Sequence, residues 1–480
     1  MKKINIYLIA TFLLAITACE KELEIKPHEI YYDNFYQSKE DALNAVNAVY
    51  DVLAYVDQYS STLWLIQDIA SDDCNARATL NDPNLHEFNK YNLNATNIYL
   101  AAVWEASYLG ISRANIVLDR VPPIDMDSTL NKRILGEASF LRAIFYFNLV
   151  RMFGDVPLAL EPLSPEMNDD ELYPFREETS KVYEKIIADL EMASKSLPEY
   201  YTSDNKGRAT KGAALAMLAN VHLHIGNWSL AADFAQQTIN LGVYQLWPDY
   251  ADNFKEVNKN GMESVFEVQF YRNDVSQNSQ MVISGLPSIQ GVFPAGVEIM
   301  LPTEDLLNSF EEGDYRYEVT FFDHYWFDTF EPHIWKYWDQ EAYEPDETSE
   351  SGADFWVMRY SEVLLILAEA LNEANGGPTQ EAYDAINQVR ERARNGQTGV
   401  LPDLSGLNQN EFRKAVLTER RHEFVNEGKR WFDLVRTGHL VEYVKEAKGD
   451  KANPQEFNNL FPIPQRERNN NPNLTQNTGY

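Results

Sequence analysis

From about residue 38 to 241, apolar residues recur every three or four positions and strand-like alternation is scarce, so this half of the chain reads as a succession of helices. Ile134, Ala138, Leu141, Phe145, Leu149 and Met152 form one stripe, which Phe140, Ile144 and Phe147 widen until the helix is apolar on most sides. That is the pattern of a helix sunk in a core. Gly154 and Pro157 end it. A second helix is expected from Thr179, as N-cap, through Val182, Ile186, Leu190, Ala193 and Leu197 to Pro198. Residues 214–241 place small side chains at Ala219, Ala231 and Thr238, where the two helices of a tetratricopeptide-like pair approach closely. Gly226 marks the turn, His222 stands where an aromatic is usual, and Phe234 is the bulky filler. A looser copy over 364–393 turns at Gly376, Gly377 and Pro378, is capped by Thr379, and carries Ala382, Ile386, Val389 and Ala393 on its apolar face. Two such pairs predict a small helical-repeat layer. Trp104, Tyr108, Ile111 and Asn115 share one helical face, which assigns Trp104 to the core.

The periodicity fails between about 245 and 353, where the chain turns aromatic, proline-rich and acidic with short strand-like pieces such as 264–270. A connection this long inside a compact domain is expected to carry function. The tail from Asn469 onward, rich in Asn and Pro, is expected to be extended. The expected fold is therefore mostly α, a tetratricopeptide-like helical-repeat scaffold with an irregular aromatic-rich insert. One domain spans 38–480, with helical pairs over 38–244, the insert over 245–353, and further helical pairs with the tail over 354–480.

The start of the chain follows another logic. Lys2 and Lys3 precede a mostly apolar stretch, 4–18, broken only by Asn5, Thr11 and Thr17. It has the form of a signal peptide, and is shorter than the roughly 20 apolar residues that span a bilayer. Ile16-Thr17-Ala18-Cys19 fits the bacterial lipobox, so residues 1–18 are expected to be removed and Cys19 to carry lipid as the new N-terminus. Acyl chains contribute about 0.8 kcal/mol per buried CH₂, and several together hold a protein at a membrane without inserting it. Residues 19–37 then form a charged tether. Within it Glu20, Glu22 and Glu24 alternate with Lys21 and Lys26, an acidic leader similar to tags that send lipoproteins to the cell surface. A solvated tether accounts for the same residues.

Composition narrows the function classes. A formal net charge of −32 argues against nucleic acid, whose phosphates require clustered Lys and Arg. Cys19 and Cys74 are the only cysteines, too few for a disulfide framework or a structural zinc site. With Cys19 lipidated, Cys74 is expected as a small buried side chain. No HExxH, GxSxG, phosphate-binding or dinucleotide-binding loop stands in a suitable context, and His222 and His224 do not share a helix face. No catalytic residue, metal site or cofactor is expected.

Seven stretches, in order, resemble the SusD/RagB family of nutrient-binding outer-membrane lipoproteins. They are Ser112-Arg113-Ala114-Asn115; EASFLRAIFYFNLVRMFGDVPL over 137–158; TSKVYEKIIADL; GRATKGAALAMLANVHLHIG from Gly207; RYSEVLLILAEALNEA from Arg359; ERRHEFVNEGKRWFDLVRTG from Glu419; and FPIPQRERNNNPNLTQNTGY at the end. His222, where an aromatic is commoner, is a small departure. The resemblance implies a lipid-anchored protein of the outer membrane, displayed at the cell surface. It also implies a SusC-like TonB-dependent transporter as partner, and a glycan, or another nutrient such as a peptide, as ligand. Arg142, Arg151, Glu419, Arg420, Arg421, Glu423, Glu427 and Arg430 lie among apolar helical positions, where paired charges fix packing, and are read as scaffold.

A sugar-binding surface needs flat aromatic faces together with polar groups for hydroxyls. Two regions qualify. One is the loop with Asp72, Asp73, Asn75 and Arg77, running toward Tyr91 and Asn92. The other is the insert, with Trp247, Tyr271, Arg272, Phe293, Tyr325, Trp326, Trp335, Tyr337 and Trp338, of which Tyr325, Trp326, Trp335 and Trp338 lead. Two rival readings have their own requirements. A helical-repeat scaffold for outer-membrane assembly has no need of the aromatic insert, and a glycoside hydrolase requires two carboxyl groups in reach of one bond. Replacing Cys19 with Ser is expected to release the protein from membranes and detergent micelles; quantitative partitioning of that variant into detergent would refute the anchor.

Overall fold

The Ser38 side chain opens the helical row: its hydroxyl accepts the Asp41 amide at 3.2 Å, and the Asp41 carboxylate accepts the Ser38 amide at 2.9 Å. In the computed structural model, which describes residues 35–202, 205–272, 278–287, 296–325, 328–339 and 352–480, the main helices are α1 (Lys39–Leu53), α2 (Thr62–Ala70), α3 (Ile98–Arg120), α4 (Ser128–Phe153), α5 (Thr179–Ser196), α6 (Lys211–His224), α7 (Trp228–Asn240), α8 (Tyr360–Asn375), α9 (Gln380–Ala393) and α10 (Gln409–Glu423). α1 packs on α3, and from α3 to α9 each helix packs on the next, giving one continuous helical layer, with α10 laid against α8. Among the described residues no helix is long and apolar enough to cross a membrane. Cys19 and the signal segment lie outside the described residues.

α4 is the centre of this layer. Its residues from Gly136 to Val150 are all buried, as its all-round apolar pattern predicts. α3 approaches it closely at Gly110, where a Cβ would stand 2.3 Å from the Phe145 ring. Gly154, at φ +72°, ends the helix in a backbone conformation that glycine adopts without strain. The tetratricopeptide-like pair α6–α7 is as read: Ala219 and Ala231 are fully buried, Gly226 turns the chain at φ +74°, and the His222 ring stacks on Phe234 with centroids 5.4 Å apart. In the second pair, α8–α9, Thr379 caps as expected and accepts the Ala382 amide at 3.2 Å. Thr179 differs. It is the first helical residue, preceded by Glu178 without a side-chain cap, and its amide is taken by the Asp155 carboxylate at 2.9 Å.

α7 and α8 are neighbours although the whole aromatic segment separates them in sequence. Eight short strands, β1 (Cys74–Ala76), β2 (Val156–Pro157), β3 (Arg176–Glu177), β4 (Ser264–Val268), β5 (Met300–Pro302), β6 (Phe321–Tyr325), β7 (Asp328–Ile334) and β8 (Phe355–Arg359), form four two-stranded antiparallel ribbons. β4 and β8 pair with Ser264 opposite Arg359 and Val268 opposite Phe355, so the segment leaves and re-enters the helical layer through one ribbon. β1 pairs with β5 and β6 with β7, which ties the rest of the segment together and to the loop after α2. The tail from Asn469 is largely irregular but held: the Asn477 side-chain amide donates to the carbonyls of Phe153 at 2.9 Å and Phe461 at 2.7 Å.

Close packing at the small residues sets a stability expectation. Ala231→Leu forces extra methylenes into a filled helix contact and is expected to cost about 1–3 kcal/mol, read as a lowered melting temperature; an unchanged melting curve would contradict the packing.

Candidate functional site

The segment Trp335-Lys336-Tyr337-Trp338 sorts its side chains by burial. Lys336 and Tyr337 point inward and are nearly inaccessible, whereas Trp335 and Trp338 are half-buried. The Lys336 ammonium reaches the Glu427 carboxylate at 2.6 Å and the Val425 carbonyl at 2.8 Å, and lies 4.8 Å from the Phe254 ring centroid. Burial pushes its pKa down to about 8, with the Glu427 carboxylate holding it from falling further. The Tyr337 hydroxyl donates to the Asn426 carbonyl at 3.1 Å. Two inward anchors on one turn, 425–427, thus fix the two outward indoles.

Trp335 stacks on Phe322, centroids 4.7 Å apart and planes 24° apart, and its indole N–H donates to the Glu318 carbonyl at 3.3 Å. Trp338 lies 5.8 Å from Trp335. Together they line an open cleft of about 370 Å³, closed on its other sides by Phe254, Lys255, Tyr315, Glu318 and Asp339. Aromatic faces interleaved with two cations, Lys255 and Lys336, and two carboxylates are suited to a ligand with apolar C–H faces and many hydroxyls. Of the residues lining this cleft, the sequence singles out the two tryptophans and not Phe254, Lys255, Tyr315, Glu318 or Asp339. Their only signal was membership of the aromatic, acidic segment.

The remaining site expectations are scattered. Phe293 and Trp326 lie outside the described residues, and Tyr325 is placed only as the last residue of β6. Tyr271 is well exposed, at 66%, with the Lys259 ammonium 5.8 Å from its ring. Arg272 is half-buried and bonded to Glu256 at 2.9 Å. Trp247 is half-buried beside Gly261, where a Cβ would stand 2.5 Å from its ring.

The loop after α2 is corrected. Asp72 and Asp73 are buried, and they hold the molecule together instead of facing a ligand. Arg430 grips Asp72 with two bonds of 2.8 Å, and Arg421 bonds Asp73 at 2.7 Å and lies 3.3 Å from Asp72. Burial raises the Asp72 pKa, but Arg430 and Arg421 outweigh it and bring it to about 2. For Asp73 burial prevails, assisted by Asp72, and the pKa is raised against the pull of Arg421. Tyr91 is likewise a core residue, its hydroxyl donating to the Ala70 carbonyl at the end of α2. Asn75 is half-buried in β1 opposite Leu301, and Arg77 is paired with Glu298. In this region Asn92 alone of the expected residues is exposed, at the end of the short helix Pro83–Lys90. Among the described residues no group of three or more His, Cys, Asp and Glu side chains could hold a metal ion.

The helical layer of tetratricopeptide-like pairs is an architecture that known proteins share with this chain. The SusD family model matches residues 326–480, and a model described as starch-binding, associating with outer membrane, matches 23–223. A SusD-like protein of Formosa agariphila is 30% identical over the full length of both chains. A SusD superfamily protein of Parabacteroides distasonis superposes with a TM-score of 0.80 at 29% identity, covering 92% of this chain and 99% of that one. A laminarin-binding SusD-like protein superposes with a TM-score of 0.77 at 27% identity, covering 93% of this chain and all of the other. The chain belongs to the SusD-like family, whose members bind carbohydrate and are not catalysts.

The Asp72 clamp predicts an acid-labile link. With a pKa of 3.8 in the unfolded chain and about 2 in the folded one, the ionised carboxylate contributes stability above about pH 4 that is lost as the pH falls toward 2. Asp72→Asn is expected to cost about 3–5 kcal/mol at neutral pH, because it strands Arg430, and to flatten that acid limb in a melting-temperature series. A variant as stable as the parent at pH 7 would argue for a solvent-facing Asp72.

Proposed function

We propose that this protein is a cell-surface lipoprotein that captures an oligosaccharide in the Trp335–Trp338 cleft and delivers it to a SusC-like TonB-dependent transporter. The carrying observation is the cleft: two anchored, half-buried indoles, with Lys255, Glu318 and Asp339 around them. Pyranose rings offer flat C–H faces to such indoles, and their hydroxyls meet the charged rim without requiring an ionised ligand. A laminarin-binding relative of the same fold, and the family model's description as starch-binding and associating with outer membrane, support a glucan-like polymer and an outer-membrane setting. The lipobox at Cys19 and its acidic leader support anchoring and surface display, and the anchor leaves the helical layer free to meet a transporter.

Titration of the intact, detergent-solubilised protein with laminarin- and starch-derived oligosaccharides, and with peptides as the contrast, tests this reading. Binding of an oligosaccharide is expected. Trp338→Ala is expected to weaken it by about 1–2 kcal/mol, roughly five- to thirtyfold, while the melting temperature stays within a degree or two. Binding of peptides alone, or loss of stability without selective loss of affinity, would refute the assignment. For the hand-over, co-purification with the neighbouring transporter from membranes is expected, and its absence would confine the function to capture.

A further inference from the structure

Glu267 in β4 and Asp354, the residue before β8, place two buried carboxyl groups together where the insert leaves and rejoins the helical layer. The two side chains are hydrogen-bonded to each other. An ionised carboxylate only accepts, so such a bond requires that one of the two carry a proton. Their other partners say which. Asp354 Oδ1 accepts the Phe270 amide at 2.8 Å and lies 3.1 Å from the Lys259 ammonium, whereas Glu267 Oε2 accepts only the Asn260 amide, at 3.2 Å. The remaining oxygens, Glu267 Oε1 and Asp354 Oδ2, are buried and receive no donor from a third group among the described residues. Asp354, beside the cation, is the better seat for negative charge, and Glu267 holds the proton.

The neighbouring charges have partners of their own. Toward the tryptophan cleft, Glu256 accepts from Arg272 at 2.9 Å, Lys255 lies 3.0 Å from Asp252, and the Tyr337 hydroxyl donates to the Asn426 carbonyl. On the other side of β4, Arg208 bonds Glu137 at 2.9 Å, Lys211 bonds Glu199 at 3.1 Å, the Tyr244 hydroxyl bonds Thr210 at 2.9 Å, and Lys206 is exposed. Lys259 thus stands as one cation against two carboxyls. Burial, reinforced by the Asp354 charge, lifts Glu267 well above the carboxylate range; burial lifts Asp354 to about 6, with Lys259 drawing it back. Both groups are raised, so the folded chain binds the proton more tightly than the unfolded one. The stability this contributes is complete below the ordinary values of 3.8 and 4.5 and is lost as the pH rises through the folded ones.

We propose that Glu267 and Asp354 form a proton-operated latch, in which one shared proton ties β4 to the start of β8 and its loss loosens the base of the insert. Phe254 and Lys255 wall both the small pocket beside this pair and the Trp335–Trp338 cleft, so the latch also steadies one side of that cleft. The proposal does not depend on what the cleft binds. Amide hydrogen exchange of the intact protein, corrected for the intrinsic rate at each pH, reads it locally. Between about pH 6 and about pH 9 the protection of residues 259–270 is expected to fall by up to about tenfold per pH unit, while that of α7 does not. Glu267→Gln, whose side-chain amide donates to Asp354 at any pH, is expected to keep the segment protected throughout. Equal pH profiles in parent and variant would overturn the proposal. So would calcium that restores protection at alkaline pH in the parent but not in the variant, since the two oxygens would then hold a metal ion in place of a proton. If Glu267→Gln does not fold, the parent decides alone: a loss confined to 259–270 supports the latch, and unchanged protection across the range refutes it.

Discussion

Everything around the insert hangs on one buried lattice of opposite charges centred on Glu423 and Glu427. Arg359, where β8 runs into α8, bonds Glu263, Glu423 and Glu427. Arg392 in α9 reaches Glu263 and Glu423, and Arg316 reaches Asp314, Glu419 and Glu423. Lys336 completes the set on Glu427. All these side chains are almost wholly excluded from water. Desolvation would raise the Glu423 pKa, yet Arg359, Arg392 and Arg316 hold it well below the ordinary carboxylate range. Each ion costs several kcal/mol to bury, so the lattice is favourable only when complete, and loss of one member strands the others. Its effect is on register more than on net stability. The two ends of the insert, helices α9 and α10, and the tryptophan-bearing segment can meet in only one arrangement that leaves no charge unmatched.

The cleft inherits its geometry from that lattice. Trp335 and Trp338 have no rigid helix beneath them; they belong to a short turn after β7. What holds them is Lys336 on Glu427 and Tyr337 on the Asn426 carbonyl. A cleft built on irregular chain thereby acquires the positional precision of the core.

Legibility in the sequence followed the range of the interactions. α4, the α6–α7 pair and the place of Trp104 in the core were readable because helix periodicity and small-residue spacing are local. Arg142, Glu419, Arg420 and Arg430 were readable as scaffold, since charges amid apolar helical positions need partners. Which partners was not readable. Asp72 and Asp73 follow α2 in a short polar stretch that looks solvated, and their arginines, Arg421 and Arg430, come near the other end of the chain. Tyr91 misled for the same reason, its hydroxyl being satisfied by the backbone of α2. In the insert the aromatic density singled out the segment that carries the cleft. The division between Trp335 and Trp338 outside and Tyr337 inside depended on a turn whose alternation is neither that of a helix nor that of a strand.

The ribbon of β4 and β8 has a bearing on how such proteins diversify. Because the insert departs and returns side by side, between helices that are already neighbours, its ends stay fixed whatever lies between them. Closing a longer loop over the same span adds an entropic penalty that grows only with the logarithm of its length. The parts of the insert outside the charge lattice can therefore change in length and sequence between fixed ends, provided that Asp314, Arg316 and Lys336 stay in place to match Glu419, Glu423 and Glu427.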